Sequence, residues 1–160
     1  MFKIGDLAVY PAHGVGVIES YKKTVIAGQE RSFLVMTILD NSMTIMIPQD
    51  NVEKVGLRKI IAPEKVEELF DILTEKEVTI EGKPWNKRFR EYSERIKTGV
   101  PTEIAGVLRE LVALKNEKGL SFGERKMFEN VKSLLTREIS IATKNSVESV
   151  SKQLTKVLDN

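Results

Sequence analysis

The spacing of apolar residues changes abruptly along this chain of 160 residues. Up to about residue 55, short apolar runs alternate with turn residues, a pattern that is typical of β-strands. From Pro63 onward, apolar residues recur every three or four positions, which is the period of an amphipathic helix. A chain whose strands all precede its helices is predicted to be an α+β protein in two domains.

The first part of the chain predicts four short strands, at a spacing of about ten residues. Turn sequences such as Ala27-Gly28 and Asp40-Asn41-Ser42 separate them. Short strands at this spacing favour a small antiparallel β-barrel of the Tudor or SH3 kind. The predicted strands are 7–10, 17–21, 31–39 and 43–47.

Two of these strands carry a further signal. The strand 31–39 is apolar on both faces, and a small barrel buries only one face well, so the other face is expected to meet a neighbouring domain or a partner. The strand 43–47 is followed by Pro48, which suits the edge of a sheet. An edge strand can add to the sheet of a partner, although a barrel strand without a partner fits the same pattern.

Five amphipathic helices are predicted after residue 62, because suitable residues stand at their starts. Proline is favoured at the first helical position, and the Ser-x-x-Glu spacing is that of a capping box. The resulting prediction is a compact five-helix bundle, with residues 1–55 as the barrel domain, 56–62 as a linker and 63–160 as the helical domain. The starting residues are Pro63, Pro84, Pro101, Ser121 with Glu124, and Ser146.

Positive charge is concentrated in one short segment. The chain as a whole has a net charge of +2, and residues 1–55 are slightly acidic. Residues 83–97 hold six basic residues against Glu91 and Glu94. A local basic stripe on a nearly neutral chain predicts a small contact area on a polyanion.

The residues needed for catalysis are missing, so the chain is not expected to be an enzyme. It has no cysteine and a single histidine, His13, within a glycine-rich turn, and that histidine is expected to be a turn or core residue. No phosphate-binding loop and no dinucleotide fingerprint are present. We therefore expect no cofactor, metal or small-molecule substrate.

With no leader sequence and no long apolar run, a cytoplasmic location is expected.

The segment from Lys83 to Tyr92 contains the only tryptophan, Trp85, at the start of a predicted helix. Backbone N–H groups at a helix start can bind phosphate, and a flat apolar side chain among basic residues can wedge into a minor groove. The alternative is that Trp85 is a core residue, since Phe89, Tyr92 and Ile96 share its helical stripe. The spacing favours that alternative. The basic candidates are Lys87, Arg88 and Arg90, with Arg125 and Lys126 at the fourth helix.

The chain resembles the CarD/CdnL family of bacterial transcription factors over nearly its whole length. At the start the resemblance rests on Gly5-Asp6-x-x-Val9-Tyr10-Pro11-x-His13-Gly14, then on Met46-Ile47-Pro48 and Val55-Gly56-Leu57-Arg58. In the helical part it rests on Trp85-x-x-Arg88-Phe89-x-x-Tyr92, Val107-Leu108-Arg109-x-Leu111 and Leu120-Ser121-x-Gly123-Glu124-x-Lys126-Met127.

The resemblance implies a function for each domain. The barrel would dock on the β subunit of RNA polymerase, through a face that includes Thr24, Ile26, Thr44 and Met46. The helical domain would contact promoter DNA at the upstream edge of the transcription bubble. There Trp85 would enter the minor groove, the basic candidates would contact phosphates, and the open complex would be stabilised.

Some relatives carry arginine near the positions of Thr24 and Met46, whereas both residues are uncharged here. Docking is therefore expected to depend on strand pairing and apolar contact more than on charge. The protein would act as a monomer on polymerase, associated with the nucleoid through it. The alternatives are a polymerase-binding adaptor without a DNA role and a general nucleic-acid binder that ignores polymerase.

Overall fold

A computed structural model describes residues 2–75 and 82–159 of the chain. The chain divides into two compact units between Ile60 and Ile61, a point that lies within the predicted linker. On the first side of it, Arg58 pairs with Val9 of the sheet. On the other side, the backbone N–H of Ile61 donates to the carboxylate of Glu138 in the helical unit, at 2.8 Å. The predicted helical domain, 63–160, also includes residues 76–81, which lie outside the described part.

The first unit is a curled sheet of four antiparallel strands that forms a half-barrel, as the strand spacing predicted. The strands pair in chain order, so that β1 and β4 lie at the two edges of the sheet. They are β1 (Leu7–Tyr10), β2 (Gly14–Ile26), β3 (Gln29–Ile38) and β4 (Thr44–Pro48), followed by a single 3-10 turn, Gln49–Asn51.

One face of this sheet is the core of the first unit, because alternate residues of its strands point to the same side. Gly16 of β2 lies so close to β3 that a Cβ there would be 2.9 Å from the carbonyl oxygen of Thr37. A side chain at this position would therefore push the two strands apart. The buried core residues include Ala8, Ile18, Leu34, Met36, Ile38 and Ile47.

Strand β2 is longer than the predicted 17–21 and continues to Ile26. Its last residues include Lys22 and Lys23, which interrupt the apolar pattern that predicts a strand. They are nevertheless paired in register with β3, Lys22 opposite Phe33 and Ile26 opposite Gln29. Backbone pairing across a two-residue turn thus extends the hairpin beyond the core.

The second unit contains five α-helices within the described residues, in agreement with the predicted bundle. Both hydrogen bonds of the predicted capping box are present: Ser121 N–H donates to Glu124 at 2.9 Å, and Glu124 N–H donates to Ser121 Oγ at 3.3 Å. The helices are α1 (Val66–Leu73), after a 3-10 turn at Pro63–Lys65, α2 (Trp85–Lys97), α3 (Pro101–Lys118), α4 (Phe122–Thr143) and α5 (Val147–Leu158).

Helix α3 is the centre of this unit, since it contacts α1, α2 and α4. Helix α2 adds few apolar residues to the core and is held to α3 partly by charge. Arg95 of α2 forms ion pairs with Glu103, at 3.0 Å, and with Glu110. Burial opposes the charge of Arg95, but the hydrogen bonds that it donates to the carboxylates of Glu110 and Glu103 outweigh this effect and raise the pKa of the guanidinium. No described helix is long and apolar enough to span a membrane.

Candidate nucleic-acid interface

The first turns of α2 and α4 meet where Trp85 lies against Gly123. A Cβ on Gly123 would be 3.1 Å from the indole Nε1 of Trp85 and 3.5 Å from two ring carbons. These distances are at or below ordinary van der Waals contact, so a larger residue would displace the ring. The absence of a side chain at Gly123 therefore lets the indole lie on the backbone of α4.

A buried ion pair joins the same two helix starts. Arg88 of α2 donates to the carboxylate of Glu124 at 2.8 Å, and its Nε donates to the carbonyl of Lys83 at 3.1 Å. Burial opposes ionisation of Glu124, but hydrogen bonds from Ser121 and Arg88 outweigh it and hold the pKa of the carboxyl below its ordinary value. Glu124 thus completes the capping box of α4 and also binds α2 through Arg88.

Trp85 is partly buried and is held by neighbours on several sides. The ring of Phe89 packs edge-to-face on it, with centroids 5.5 Å apart at 69°, and the Arg88 guanidinium lies 5.6 Å from the indole centroid. The predicted stripe divides here: Tyr92 and Ile96 are buried, whereas Phe89 is 50% exposed. Burial and the carboxylate of Glu110 raise the pKa of the Tyr92 phenol. Trp85 and Phe89 therefore lie at the rim of the core.

Phe122, the first residue of α4, was not predicted to be a site residue, and it is 76% exposed. The ammonium of Lys126 lies 5.5 Å from its ring centroid, and Phe122 is adjacent in sequence to Gly123. The helical period could have indicated this exposure. Phe122 is five residues before the buried Met127, and apolar residues of one helix face are three or four positions apart, so Phe122 is off the apolar stripe of α4. Phe89 gave no such signal, because its spacing matches that of core residues.

Four of the five basic candidates are exposed on α2 and α4, the two helices that carry these rings. In the described part of the chain, none of the four forms an ion pair. The first turn of α2 contains no acidic residue, and no side chain caps it. We call the whole set the aromatic–cationic surface. It consists of Trp85, Phe89 and Phe122 with Lys87, Arg90, Arg125 and Lys126.

Arg88 departs from the expectation that it faces a phosphate. It is only 6% exposed, and its guanidinium is paired with Glu124. A buried arginine that already has a carboxylate partner cannot reach a DNA backbone without breaking that pair. The expected phosphate contact is therefore corrected to a structural role, in which Arg88 connects α2 to α4.

The four residues expected to face polymerase lie on one face of the sheet, opposite to the core. The pairing aligns Thr24 with Arg31, Ile26 with Gln29, Thr37 with Thr44 and Val35 with Met46, so all of these share one face. Met46 is 46% exposed and Ile26 is also exposed. Among the described strands, β4 pairs only with β3, so its other edge has no neighbouring strand.

The part of the chain that the structure describes gives no sign of a metal centre. No group of three or more histidine or acidic residues is close enough to hold an ion there. His13 is exposed, and its ring packs edge-to-face on Tyr10 with centroids 4.9 Å apart. It has the turn position that its sequence context predicted.

The comparisons with known proteins divide the chain in the same order as its two units. Residues 2–61 match the family model of the CarD-like/TRCF RID domain, and residues 68–155 match that of the CarD C-terminal domain. The Bacillus subtilis protein YdeB is 31% identical over 141 residues, which are 88% of this chain and 92% of YdeB.

Two solved structures from Myxococcus xanthus are similar to part of this chain. The N-terminal domain of CdnL is 54% identical, with 38% of this chain and 86% of that chain covered and a TM-score of 0.34. The N-terminal domain of CarD is 30% identical, with coverages of 37% and 79% and a TM-score of 0.32. From the two family models and the length of the match with YdeB, we conclude that the chain belongs to the CarD/CdnL family of transcription regulators.

Proposed function

We propose that this transcription regulator docks on the β subunit of RNA polymerase and stabilises the promoter open complex by contacting DNA at the upstream edge of the bubble. The observation that carries the DNA role is the aromatic–cationic surface, in which three aromatic rings and four exposed basic residues stand within the first six residues of α2 and the first five of α4. A basic surface with exposed rings is typical of proteins that contact nucleic acid.

The basic residues and the tryptophan would have different roles. Phosphate contacts from Lys87, Arg90, Arg125 and Lys126 would orient the protein without reading sequence. Trp85 would then insert at a base step that melting has already distorted, where unstacking costs little. The contacts of the indole with Gly123 and Phe89 support this role, because a wedge must hold its orientation against the DNA.

The sheet offers a surface for docking that does not depend on charge. Exposed Ile26 and Met46 share the outer face with Thr24 and Thr44, and the open edge of β4 can pair with a strand of a partner. Attachment to polymerase raises the effective concentration of the helical unit at the promoter. Four phosphate contacts alone would bind free duplex weakly, and the affinity would fall with salt.

The DNA role is tested by promoter-opening kinetics with purified RNA polymerase. Trp85→Ala is expected to shorten the open-complex lifetime, since a preference of about 1–2 kcal/mol for the open state changes its population roughly 5- to 30-fold. Val100→Ala, an exposed apolar residue of the same unit, is the matched control. If Trp85→Ala leaves the lifetime unchanged while polymerase binding persists, the adaptor function without a DNA role replaces the proposal.

The docking role is tested by capture of polymerase on immobilised protein. Met46→Glu is expected to reduce capture at least tenfold, because it places a charge in an apolar contact. Val25→Glu introduces the same charge on the opposite face of the hairpin and should leave capture unchanged. Equal losses of capture in both variants would exclude this face as the docking surface. Tight binding of the wild type to duplex DNA at physiological salt without polymerase would favour a general nucleic-acid binder.

A further inference from the structure

Phe122 is unusually exposed for a phenylalanine in a folded unit. It is 76% exposed at the first residue of α4 and lies off the apolar stripe that α4 directs to the core. Exposing most of a phenyl ring to water forgoes about 1.5–3 kcal/mol of burial free energy. Exposed Phe89 and partly exposed Trp85 lie at the same pair of helix starts, and a group of exposed rings is typical of a binding surface. The Lys126 ammonium lies 5.5 Å from the ring centroid.

We propose that Phe122 is a stacking site for an unpaired nucleobase of the opened promoter, separate from the wedge made by Trp85. The inference rests on the proposed DNA role and specifies its ligand as the single-stranded DNA next to the duplex. A phenyl ring can stack on any base, whereas a paired base in a duplex has both faces covered by its neighbours.

The surroundings of Phe122 favour a base over an apolar protein partner. Exposed Arg125 and Lys126 lie in the same first turns of α4, so a ligand on the ring would be next to two positive charges. An apolar partner segment would have to desolvate those charges, whereas a nucleotide brings a phosphate to pair with them. A nucleotide matches both the ring and the positive charges, because its base can stack on the ring and its phosphate can pair with Arg125 or Lys126.

The position of Phe122 beside the wedge fits a junction between duplex and single strand. Gly123, the next residue, lies against the indole of Trp85, so the Trp85 ring of α2 packs on the turn of α4 that carries Phe122. Consecutive bases in a strand are separated by a few ångströms when stacked and by more when unstacked. A base freed by the wedge at Trp85 can therefore reach Phe122 without a long stretch of intervening strand.

The test uses three DNA probes, of which the two with a single-stranded arm have the same charge pattern, and the full-length protein, in fluorescence anisotropy titrations at low salt. One probe is a duplex, the second has a short single-stranded thymine arm at its end, and the third carries the same arm with abasic residues in place of the bases. The abasic arm keeps the phosphates and removes only the stacking surfaces.

The wild type is expected to bind the thymine arm about fivefold to tenfold more tightly than the abasic arm, which is the lower part of the range for one stacked base. Phe122→Ala and Phe122→Leu should lose this difference while still binding the abasic probe as the wild type does. Phe122→Tyr should keep the difference, because its ring is also aromatic. Val100→Ala should behave as the wild type.

Two outcomes overturn the stacking site and leave the proposed function standing: equal wild-type affinity for the two arms, or a thymine preference that persists in Phe122→Ala. A loss of binding to all three probes by Phe122→Leu, with helicity unchanged by circular dichroism, also overturns it, since stacking alone would not remove phosphate contacts. If the wild type binds none of the probes at low salt, the proposed DNA role itself fails.

Discussion

At the scale of single residues, one basic side chain next to the candidate surface is buried and paired within the fold. Arg88 lies among the basic residues that a polyanion would attract, but its ion pair with Glu124 is buried. The pair connects the first turns of α2 and α4, which carry Trp85 and Phe122. Its effect on DNA binding would therefore be indirect, through the relative position of the two rings.

Glu124→Gln is expected to destabilise the helical unit by about 2–3 kcal/mol at neutral pH, because Arg88 would remain buried without an opposite charge. The pKa of Glu124 is lowered in the folded state, so its carboxylate stabilises the fold above the pKa of the unfolded chain, and that stability is lost as the pH falls through the folded pKa. The difference between variant and wild type should therefore shrink below about pH 4.

Urea unfolding followed by the fluorescence of Trp85, the only tryptophan, measures this difference next to the pair. Glu91→Gln is the matched control, since Glu91 forms an exposed ion pair with Lys83 at 3.0 Å and should change stability by less than about 1 kcal/mol. A Glu124→Gln penalty that stays constant from pH 7 to pH 3 would contradict the assigned charge.

At the scale of elements, the β2–β3 hairpin has a turn whose backbone conformation lowers its stability. Ala27 and Gly28 both have positive φ, 52° and 78°, as a two-residue hairpin turn requires, and this backbone conformation is unfavourable for alanine. Ala27→Asn is expected to stabilise the hairpin by about 0.5–1 kcal/mol, because asparagine tolerates this region. Ala27→Val should destabilise it, because a β-branched residue fits there poorly.

Amide hydrogen exchange of β2 and β3 distinguishes the two variants, since it reports on local opening of the hairpin. Slower exchange from Thr24 to Arg31 in Ala27→Asn and faster exchange in Ala27→Val are expected. Exchange rates in the amides of α3 serve as the internal control and should not change. If both variants accelerate exchange in the hairpin, the positive φ of Ala27 does not lower the stability of the hairpin.

At the scale of the whole molecule, each unit has its own core and its own proposed surface. We expect fragments 1–60 and 61–160 to fold separately, with the sheet and helix signals of each measured by circular dichroism. Fragment 61–160 should keep the salt dependence of DNA binding, a slope of log K against log salt of about −3 to −4 for four phosphate contacts. Fragment 1–60 should bind polymerase without DNA.

A fragment 61–160 that folds but binds DNA with no salt dependence would contradict the role of the four basic residues. A quadruple replacement of Lys87, Arg90, Arg125 and Lys126 by glutamine in the full chain is the matching test. It should flatten the slope, whereas replacing Arg88 by methionine should leave the slope unchanged, because Arg88 is buried.

The sequence alone determined the architecture and most elements of this protein. The change of apolar period specified a sheet followed by helices, because burial of one face imposes a period of two on a strand and 3.6 on a helix. Capping chemistry is also local, so Ser121 and Glu124 predicted the start of α4, and both hydrogen bonds are present. Glycine-rich and Ala-Gly turns marked the strand ends for the same reason.

Only the tertiary structure decided which residues form the candidate surface. Arg88 and Arg90 are both basic and two positions apart, yet one is buried against Glu124 and the other is exposed, because a partner 36 residues away occupies one side of the helix. Phe89 and Tyr92 share a stripe, yet only Tyr92 is covered. A periodic pattern gives the direction of a side chain from its own helix, whereas exposure depends on which neighbour packs there.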